Sequence, residues 1–314
     1  MPSPAAGPPD QVTVSAPAKI NLALSVGELR PDGYHELRTV FHAVDLMDLV
    51  VAEPSQSIEL VLAGEEAGGL AADQDNLAWR AATLLASRAG IAPAVRLRLT
   101  KRIPVAAGLA GGSADAAATL LACNRLWRLD LSAGELSQLA AALGSDVPFA
   151  LHGGTAVGAG RGELLTEVPV GNPLHWVLAA ATGSLSTPAV YAELDRQRAV
   201  VVEPVDDDAL DQLLAAARIG DPAGIAPLLA NDLQPAALAL APYLHDTLNA
   251  GAEFGALAGL VSGSGPTCVF LAADAEHARA LAAKLAASRT CRNAWPVTGG
   301  VPGARVLNRA VASC

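Results

Sequence analysis

The chain is 314 residues long, which fits two domains or one large α/β unit. Its net charge of −10 argues against a broad nucleic-acid footprint, so we expect no nucleic-acid partner and any phosphate to be held locally, by a loop and a few cations. The sequence contains no unbroken run of about 18 apolar residues, which predicts that no helix spans a membrane and that there is no membrane partner.

The cysteines and the N-terminal segment indicate the compartment. Residues 1–10 are rich in Pro and Ala and lack the basic and apolar regions of a signal peptide, so we expect a disordered arm there. Scattered cysteines without metal spacing predict buried free thiols in a reducing cytoplasm, although a single disulfide stays open. The four are Cys123, Cys268, Cys291 and Cys314.

A strand with a break opens the ordered part of the chain. Apolar residues alternate from Gln11, and Pro17 interrupts the pattern. A proline inside a strand pattern implies an edge or a bulge, which should turn Lys19 and Asn21 out of regular pairing. Lysine is rare here, with three in the chain, but a solvated side chain is the default interpretation of Lys19 taken alone.

A turn with adjacent aromatic and imidazole side chains, Tyr34 and His35, precedes one or two strands over 37–51. His35 is either a ligand residue or a loop histidine, and the position alone favours the second. His42 lies in an apolar run and is expected to be structural. Further on, a cap signal at 73–76 predicts a helix that Gly90 closes.

A glycine-rich loop from Pro104 to Asp115 follows a predicted strand over 95–103 and opens an alanine-rich helix over 116–129. Small residues let backbone N–H groups approach a ligand closely, and the helix N-terminus adds unpaired donors and a positive dipole end. The loop therefore predicts a phosphate site. A flexible strand-to-helix connection is the alternative. The loop has neither the Walker A ending nor the dinucleotide spacing.

Asp146 follows a predicted helix over 132–143, which begins with a capping box of Ser132 and Glu135. The aspartate either caps a short turn or presents a carboxylate to a cleft. A glycine-punctuated strand is predicted over 151–158, before a weak boundary near 160–172.

The second half repeats the mixture of strands and helices. A second glycine loop over 259–267 leads into a strand rather than a helix. Besides a strand over 176–179 and a helix that begins near 186, the periodicity predicts helices over 207–217, 222–229, 238–252 and 275–288.

Three motifs, in this order, resemble those of the GHMP kinases: 16–22 (Ala-Pro-Ala-Lys-Ile-Asn-Leu), 104–117 and 261–270. The resemblance covers essentially the whole chain after the arm. It implies an α+β, two-lobed GHMP-kinase-like fold with the active-site cleft between the lobes. The N-terminal domain would span 11–165 and carry the phosphate loop and catalytic pair, and the C-terminal domain would span 166–314.

Two further motifs, 32–37 and 144–149, are similar to those of family members that act on a cytidine-diphosphate-linked methylerythritol. The resemblance implies ATP-dependent phosphorylation of its tertiary C2 hydroxyl, in the non-mevalonate isoprenoid precursor pathway. Homoserine or mevalonate phosphorylation is the nearest alternative. A catalytically silent nucleotide-binding protein would be expected to lack Lys19 or Asp146, and the chain has both.

The resemblance also implies residue roles. Asp146 would be the general base, with Lys19 close by to hold it ionised and to stabilise charge near the γ-phosphate. ATP would be the donor, with Mg²⁺ held largely by phosphates and water and with no protein ligand identified. The protein would be a monomer or weak homodimer acting on a small-molecule acceptor.

Two sets of binding residues complete the implied site. Those matched to the nucleotide are Lys101, Pro104, Val105, Ala106, Ala107, Gly108, Leu109, Ala110, Gly111, Gly112, Ser113 and Ala114. Those matched to the acceptor are Asn21, Tyr34, His35, Phe41, Thr187 and Tyr191. Many relatives have glycines where this chain has Ala106 and Ala107. Because alanine disfavours positive φ, we expect regular backbone at both positions.

Overall fold

The structure is a computed structural model that describes residues 10–198 and 207–307. Most of the arm predicted over 1–10 and Cys314 lie outside these residues. The strands are β1 (Val12–Leu29), β2 (His35–Pro54), β3 (Glu59–Ala63), β4 (Val95–Thr100), β5 (Thr155–Ala159), β6 (Leu164–Glu167), β7 (His175–Ala180), β8 (Ala230–Asn231), β9 (Ala258–Val261), β10 (Cys268–Ala272), β11 (Asn293–Thr298) and β12 (Arg305–Val306).

Helices lie between the strands from the first third of the chain onward. They are α1 (Leu77–Ala89), α2 (Gly111–Leu126), α3 (Ala133–Leu143), α4 (Val147–His152), α5 (Thr187–Arg198), α6 (Asp207–Ile219), α7 (Pro222–Ile225), α8 (Gln234–Leu240), α9 (Leu244–Glu253) and α10 (Ala275–Ser288). None of the helices in the described ranges is long and apolar enough to cross a bilayer.

Two sheets organise these elements into an α+β fold. The first has the order β12-β1-β2-β4-β3, with β5 and β6 extending from β2 and with β8 beside β1. The second has the order β11-β7-β10-β9. Helices α1 and α2 pack together, and α2 packs on β1 and β2, while α10 covers β7 and β11. The alternating and continuous apolar runs of the strands supply the buried faces that these helices cover.

The break in β1 is a bulge within one continuous strand. The register to β2 shifts between Pro17 and Ala18 and again between Asn21 and Ala23, as a proline in a strand predicts. The expectation that Lys19 and Asn21 leave regular pairing is wrong, because both keep partners on β2. The two shifts flank these residues instead.

Local cap signals correctly predicted several helices. Asn76 caps α1 and Gly90 closes it in the left-handed conformation, while Ser132 and Glu135 form the expected capping box of α3. The predicted thiols Cys123, Cys268 and Cys291 are buried and free.

Several predicted boundaries differ from the structure, and the strand predicted over 95–103, for example, ends at Thr100. Helix α2 begins at Gly111 rather than 116, because its first turn belongs to the glycine loop. The strand predicted over 151–158 is divided between the end of α4 and β5. The helix over 238–252 is broken beside Pro242, and the segment 222–229 becomes α7 followed by a 3₁₀ turn.

Candidate active site

A cavity of about 960 Å³ is lined by all the predicted site residues except two. The side chains of Leu109 and Ala114 do not line it, because both are buried in the hydrophobic core. Strand β1, the glycine loop and the start of α2 line one side of it. Helix α5 and the loop at 263–264 line the other. The cleft therefore lies between the two lobes.

The glycine loop ends in a helix N-terminus with free amide donors. The first hydrogen bond within α2 runs from the N–H of Ala114 to the carbonyl of Ala110, at 2.9 Å, so the amides of 111–113 precede it. Ala110 adopts φ +58° at the N-cap and contributes no side-chain cap. Amides and dipole together favour an anion here.

The three sequence motifs meet at this loop. The backbone N–H of Lys19 donates to the carbonyl of Leu109 at 3.2 Å. Gly108 has φ +75°, and a Cβ added to it would lie 2.2 Å from the carbonyl oxygen of Ser262. Only glycine fits this contact, so the third motif braces the loop from behind.

The expected regular backbone holds at Ala107 and is wrong at Ala106, which has φ +51°. Left-handed backbone costs an alanine about 1–2 kcal/mol. Ala106 is exposed, so its Cβ meets solvent rather than packed atoms, and the contacts that hold the rest of the loop outweigh this strain.

Lys19 and Asp146 lie together at the loop end of the cavity. The Lys19 Nζ is 3.8 Å from Asp146 Oδ2 and donates to Asn21 Oδ1 at 2.9 Å. The lysine side chain is 9% exposed and the aspartate side chain 32%. Asp146 is the N-cap residue of α4 but makes no capping bond, so the carboxylate faces the cleft rather than the turn.

His35, which also lines the cavity, contacts two side chains of α5. Its Nε2 lies 2.9 Å from Asp195 Oδ1, and its ring stacks on Tyr191 with centroids 5.2 Å apart. Burial, aided by the charge of Asp146, raises the pKa of Tyr191 to about 12. The phenol therefore stays protonated at neutral pH.

The remaining predicted acceptor residues line the same cavity. Thr187 Oγ1 lies 2.9 Å from Ser264 Oγ, at the start of α5. Tyr34 is half exposed, with the Arg161 guanidinium 5.0 Å from its ring centroid. Phe41 is buried, and the Lys19 Nζ lies 5.7 Å from the centre of its ring.

Lys101 lies beneath the loop, bound by two carboxylates that the sequence reasoning missed. Its Nζ contacts Asp48 and Asp115, and it donates to the carbonyl of Gly111 at 3.3 Å. Each of the two aspartates interrupts an apolar stretch, which was the available signal for a buried carboxylate. The role of Lys101 beside a nucleotide stays a prediction.

The charges of this buried group shift one another's pKa values. Burial opposes the charged form of Lys101, but Asp115 and Asp48 outweigh it and raise the pKa of the ammonium. Burial also raises the pKa of Asp115, with the neighbouring Asp48 adding to the effect and Lys101 opposing it. The described residues form no cluster of three or more His, Cys, Asp or Glu that could hold a metal ion.

Comparison with known proteins identifies the family. Residues 76–154 match the model of the GHMP kinases N terminal domain, and residues 210–289 match that of the GHMP kinases C terminal. The chain is 54% identical over 302 residues to the 4-diphosphocytidyl-2-C-methyl-D-erythritol kinase of Rhodococcus jostii, covering 96% of this chain and 97% of that one. The enzyme of the same name from Nocardia farcinica is 55% identical, with the same coverage.

Solved structures agree with these relatives. A crystal structure of 4-(cytidine 5'-diphospho)-2C-methyl-D-erythritol kinase is 36% identical and superposes with a TM-score of 0.75, covering 92% of this chain and 99% of that one. Homoserine kinase from Cytophaga hutchinsonii shares the fold at 20% identity and a TM-score of 0.74, covering 96% of this chain and 99% of that one. With the motifs meeting at one cleft and with these relatives over nearly its whole length, the chain belongs to the GHMP kinase family.

Proposed function

We propose that the chain is an ATP-dependent kinase that phosphorylates the C2 hydroxyl of 4-diphosphocytidyl-2-C-methyl-D-erythritol, in isoprenoid precursor formation. The observation that carries the proposal is the Lys19–Asp146 pair, 3.8 Å apart beside a loop of free amides. More than half of the residues are identical to relatives that bear this enzyme's name.

The loop over 104–114 is where the ATP phosphates would bind. Backbone amides of 111–113 and the N-terminus of α2 offer donors to the phosphate oxygens. Mg²⁺ would be held largely by the phosphates and water, and the Ser113 hydroxyl is an oxygen donor that lines this cavity. Bound with ATP, the ion would neutralise charge on the β- and γ-phosphates.

Asp146 is the proposed general base. As the C2 oxygen attacks the γ-phosphorus, the bond from that phosphorus to the bridging oxygen breaks, and ADP departs with the electron pair. The hydroxyl proton passes to the Asp146 carboxylate. The Lys19 ammonium, 3.8 Å from this carboxylate, stabilises the equatorial phosphoryl oxygens, while Asn21 fixes the ammonium.

The group of Tyr34, His35 and Tyr191 in the cavity suits a nucleobase. Tyr34 and Tyr191 offer aromatic faces, and His35 adds a ring nitrogen for a base edge. Thr187 and Asn21 would contact the polar groups between base and reacting hydroxyl. Homoserine and mevalonate carry no base, so neither would contact Tyr34, His35 and Tyr191 in this way.

An acceptor screen tests the substrate. With ATP and Mg²⁺, coupled ADP release is expected with the cytidylated methylerythritol and not with uncytidylated methylerythritol, homoserine or mevalonate. Release with homoserine or mevalonate alone would favour the alternative. Release with none would leave a nucleotide-binding protein without kinase activity.

The catalytic pair has its own test. Asp146→Asn is expected to lower kcat by about 10²–10⁴-fold, because general base catalysis contributes about that much. Lys19→Met should lower kcat comparably. Asp146→Asn should leave the thermal transition unchanged, since this side chain is 32% exposed, whereas that of Lys19 is buried. Asp211→Asn, an exposed carboxylate outside the cavity, serves as control. Turnover like the unmodified enzyme in either cavity variant would contradict the mechanism.

We further propose that the protein works in the cytoplasm, as a monomer or weak homodimer, on a small-molecule acceptor. Three buried free thiols and the net charge of −10 support this setting, which has neither nucleic-acid nor membrane partners.

A further inference from the structure

Asp195 lies one helical turn after Tyr191 on α5, so the helix presents a ring and a carboxylate to the same imidazole. The His35 side chain is 8% exposed, and its Nε2 is 2.9 Å from Asp195 Oδ1. No motif of the family resemblance included this aspartate. It lies 160 residues from His35 in sequence, so the fold alone joins them.

Helix α5 is held at both ends, which fixes the position of this carboxylate. At its start, Thr187 Oγ1 lies 2.9 Å from Ser264 Oγ. At its end, Arg198 Nη2 lies 2.6 Å from Asp232 Oδ2, and the same oxygen accepts from the backbone N–H of Val26 at 2.8 Å. Asp195 therefore sits on a braced helix, and its side chain, 50% exposed, contacts His35 from that fixed position.

The contact determines which ring nitrogen of His35 carries the proton. A carboxylate only accepts hydrogen bonds, so Nε2 must be the N–H in this pair. In the neutral ring, Nδ1 then carries a lone pair. Within residues 10–198 and 207–307, the His35 ring has no other hydrogen-bonding partner, so Nδ1 remains for a ligand in the cavity that His35 lines.

An acceptor nitrogen distinguishes the two common pyrimidines. Cytosine presents an amino group at C4, which donates, whereas uracil presents a carbonyl oxygen at the same position, which accepts. Nδ1 would accept a hydrogen bond from the amino group of cytosine. In uracil its lone pair would face a lone pair of the carbonyl oxygen. A site built around such a hydrogen bond rejects the wrong partner strongly.

We propose that Asp195 is a positioning residue that keeps the His35 proton on Nε2 and thereby makes the kinase prefer a cytidine-linked acceptor over a uridine-linked one. The inference rests on the proposed function for the substrate class. The carboxylate never needs to touch the base, since it acts through His35.

The test is Asp195→Asn, which keeps the size of the side chain but lets the amide either donate or accept. At about pH 8, where an ordinary imidazole is neutral, the ¹⁵N spectrum of the free enzyme is expected to show His35 protonated on Nε2, with assignment by His35→Gln. In Asp195→Asn, the two tautomers should mix. The preference in kcat/KM for cytidine-linked over uridine-linked methylerythritol should fall at least about tenfold, mainly through the acceptor KM.

Glu193→Gln is the matched control. This carboxylate lies on the same helix but bonds to Arg196 and Gln197 and does not line the cavity. The tautomer and the base preference should both stay unchanged in this variant.

An unchanged tautomer or an unchanged base preference in Asp195→Asn would overturn the inference, while activity of the unmodified enzyme on the cytidine-linked acceptor would leave the proposed function intact. If the unmodified enzyme phosphorylates neither acceptor, the proposed function fails, and the base preference assigned to Asp195 fails with it. The spectrum of the free enzyme would still report separately whether Asp195 fixes the His35 proton.

Discussion

His42 is a buried histidine whose protonation affects the stability of the fold. Its ring is fully buried, Nδ1 lies 2.7 Å from Thr155 Oγ1, and Nε2 has no partner in the described part of the chain. A Cβ on Gly299 would lie 1.9 Å from Nε2, so glycine is needed to cover the ring. Burial lowers the pKa of His42 to about 3, and the imidazole stays neutral in the folded protein.

This neutral histidine predicts acid sensitivity. Below an unfolded pKa of about 6.5, the unfolded chain binds a proton that the folded chain refuses, so stability is lost as the pH falls. Each pH unit is worth about 1.4 kcal/mol, which gives a loss of about 2 kcal/mol between roughly pH 6.5 and 5. Urea unfolding at several pH values across this range measures the loss in the free energy of unfolding. His42→Asn should flatten the slope of this free energy against pH, and the exposed control His245→Asn should not. Equal slopes in all three proteins would contradict the argument.

At the scale of elements, Lys101 joins two strands and a helix beneath the phosphate loop. It follows the last residue of β4, Asp48 belongs to β2 and Asp115 to the first turns of α2. Oδ2 of Asp48 contacts Lys101, and the other oxygen, Oδ1, accepts from the backbone N–H groups of Arg102 and Ile103, at 2.6 and 3.0 Å. The start of the loop is therefore fixed by a buried charge network rather than by its own glycines.

Lys101→Met is expected to destabilise the fold by about 3–5 kcal/mol, because two buried carboxylates lose their cation. Adding Asp115→Asn should recover part of the loss, since one of those charges is then removed. Urea unfolding measures the free energy in each case. The exposed Lys284→Met should change it by less than about 0.5 kcal/mol. A Lys101 variant as stable as this control would show that the buried charge network does not stabilise the fold.

Elements with local signals were predictable, and those set by distant contacts were not. Asn76 and Ser132 mark helix starts because their side chains cap the adjacent amides. Helix α2 starts after Ala110, which offers no capping side chain, so its true beginning was hidden.

The same distinction divides the site. The motifs identified Lys19 and Asp146, and the fold brings them to 3.8 Å. Asp48 and Asp195 acquire their partners only through tertiary packing, so no local pattern announced their contacts. A family resemblance identifies the residues that lie in its motifs. The residues that hold those in place, such as Asp48 and Asp195, depend on which elements pack together.

At the scale of the whole molecule, the two halves share a sheet. Beyond the division proposed at 165/166, strands β8 and β12 return to pair with β1, through Leu24 with Asn231 and Val14 with Val306. Asn231 also donates to the carbonyls of Val261 and Gly263, next to the third motif. The division into 11–165 and 166–314 remains a prediction, and these shared strands couple the two parts.

This coupling predicts one cooperative unfolding transition, although chains above about 150 residues commonly unfold in steps. Cys123 in α2 and Cys268 in β10 are buried free thiols, one on each side of the division. Pulsed alkylation across a urea series, read by mass spectrometry of the two cysteine peptides, should give the same midpoint for both. Tryptophan fluorescence of the same samples provides the global reference. If Cys268 became reactive at clearly lower urea than Cys123, the second half would unfold alone, and the strands shared with β1 would be too weak to unite the molecule.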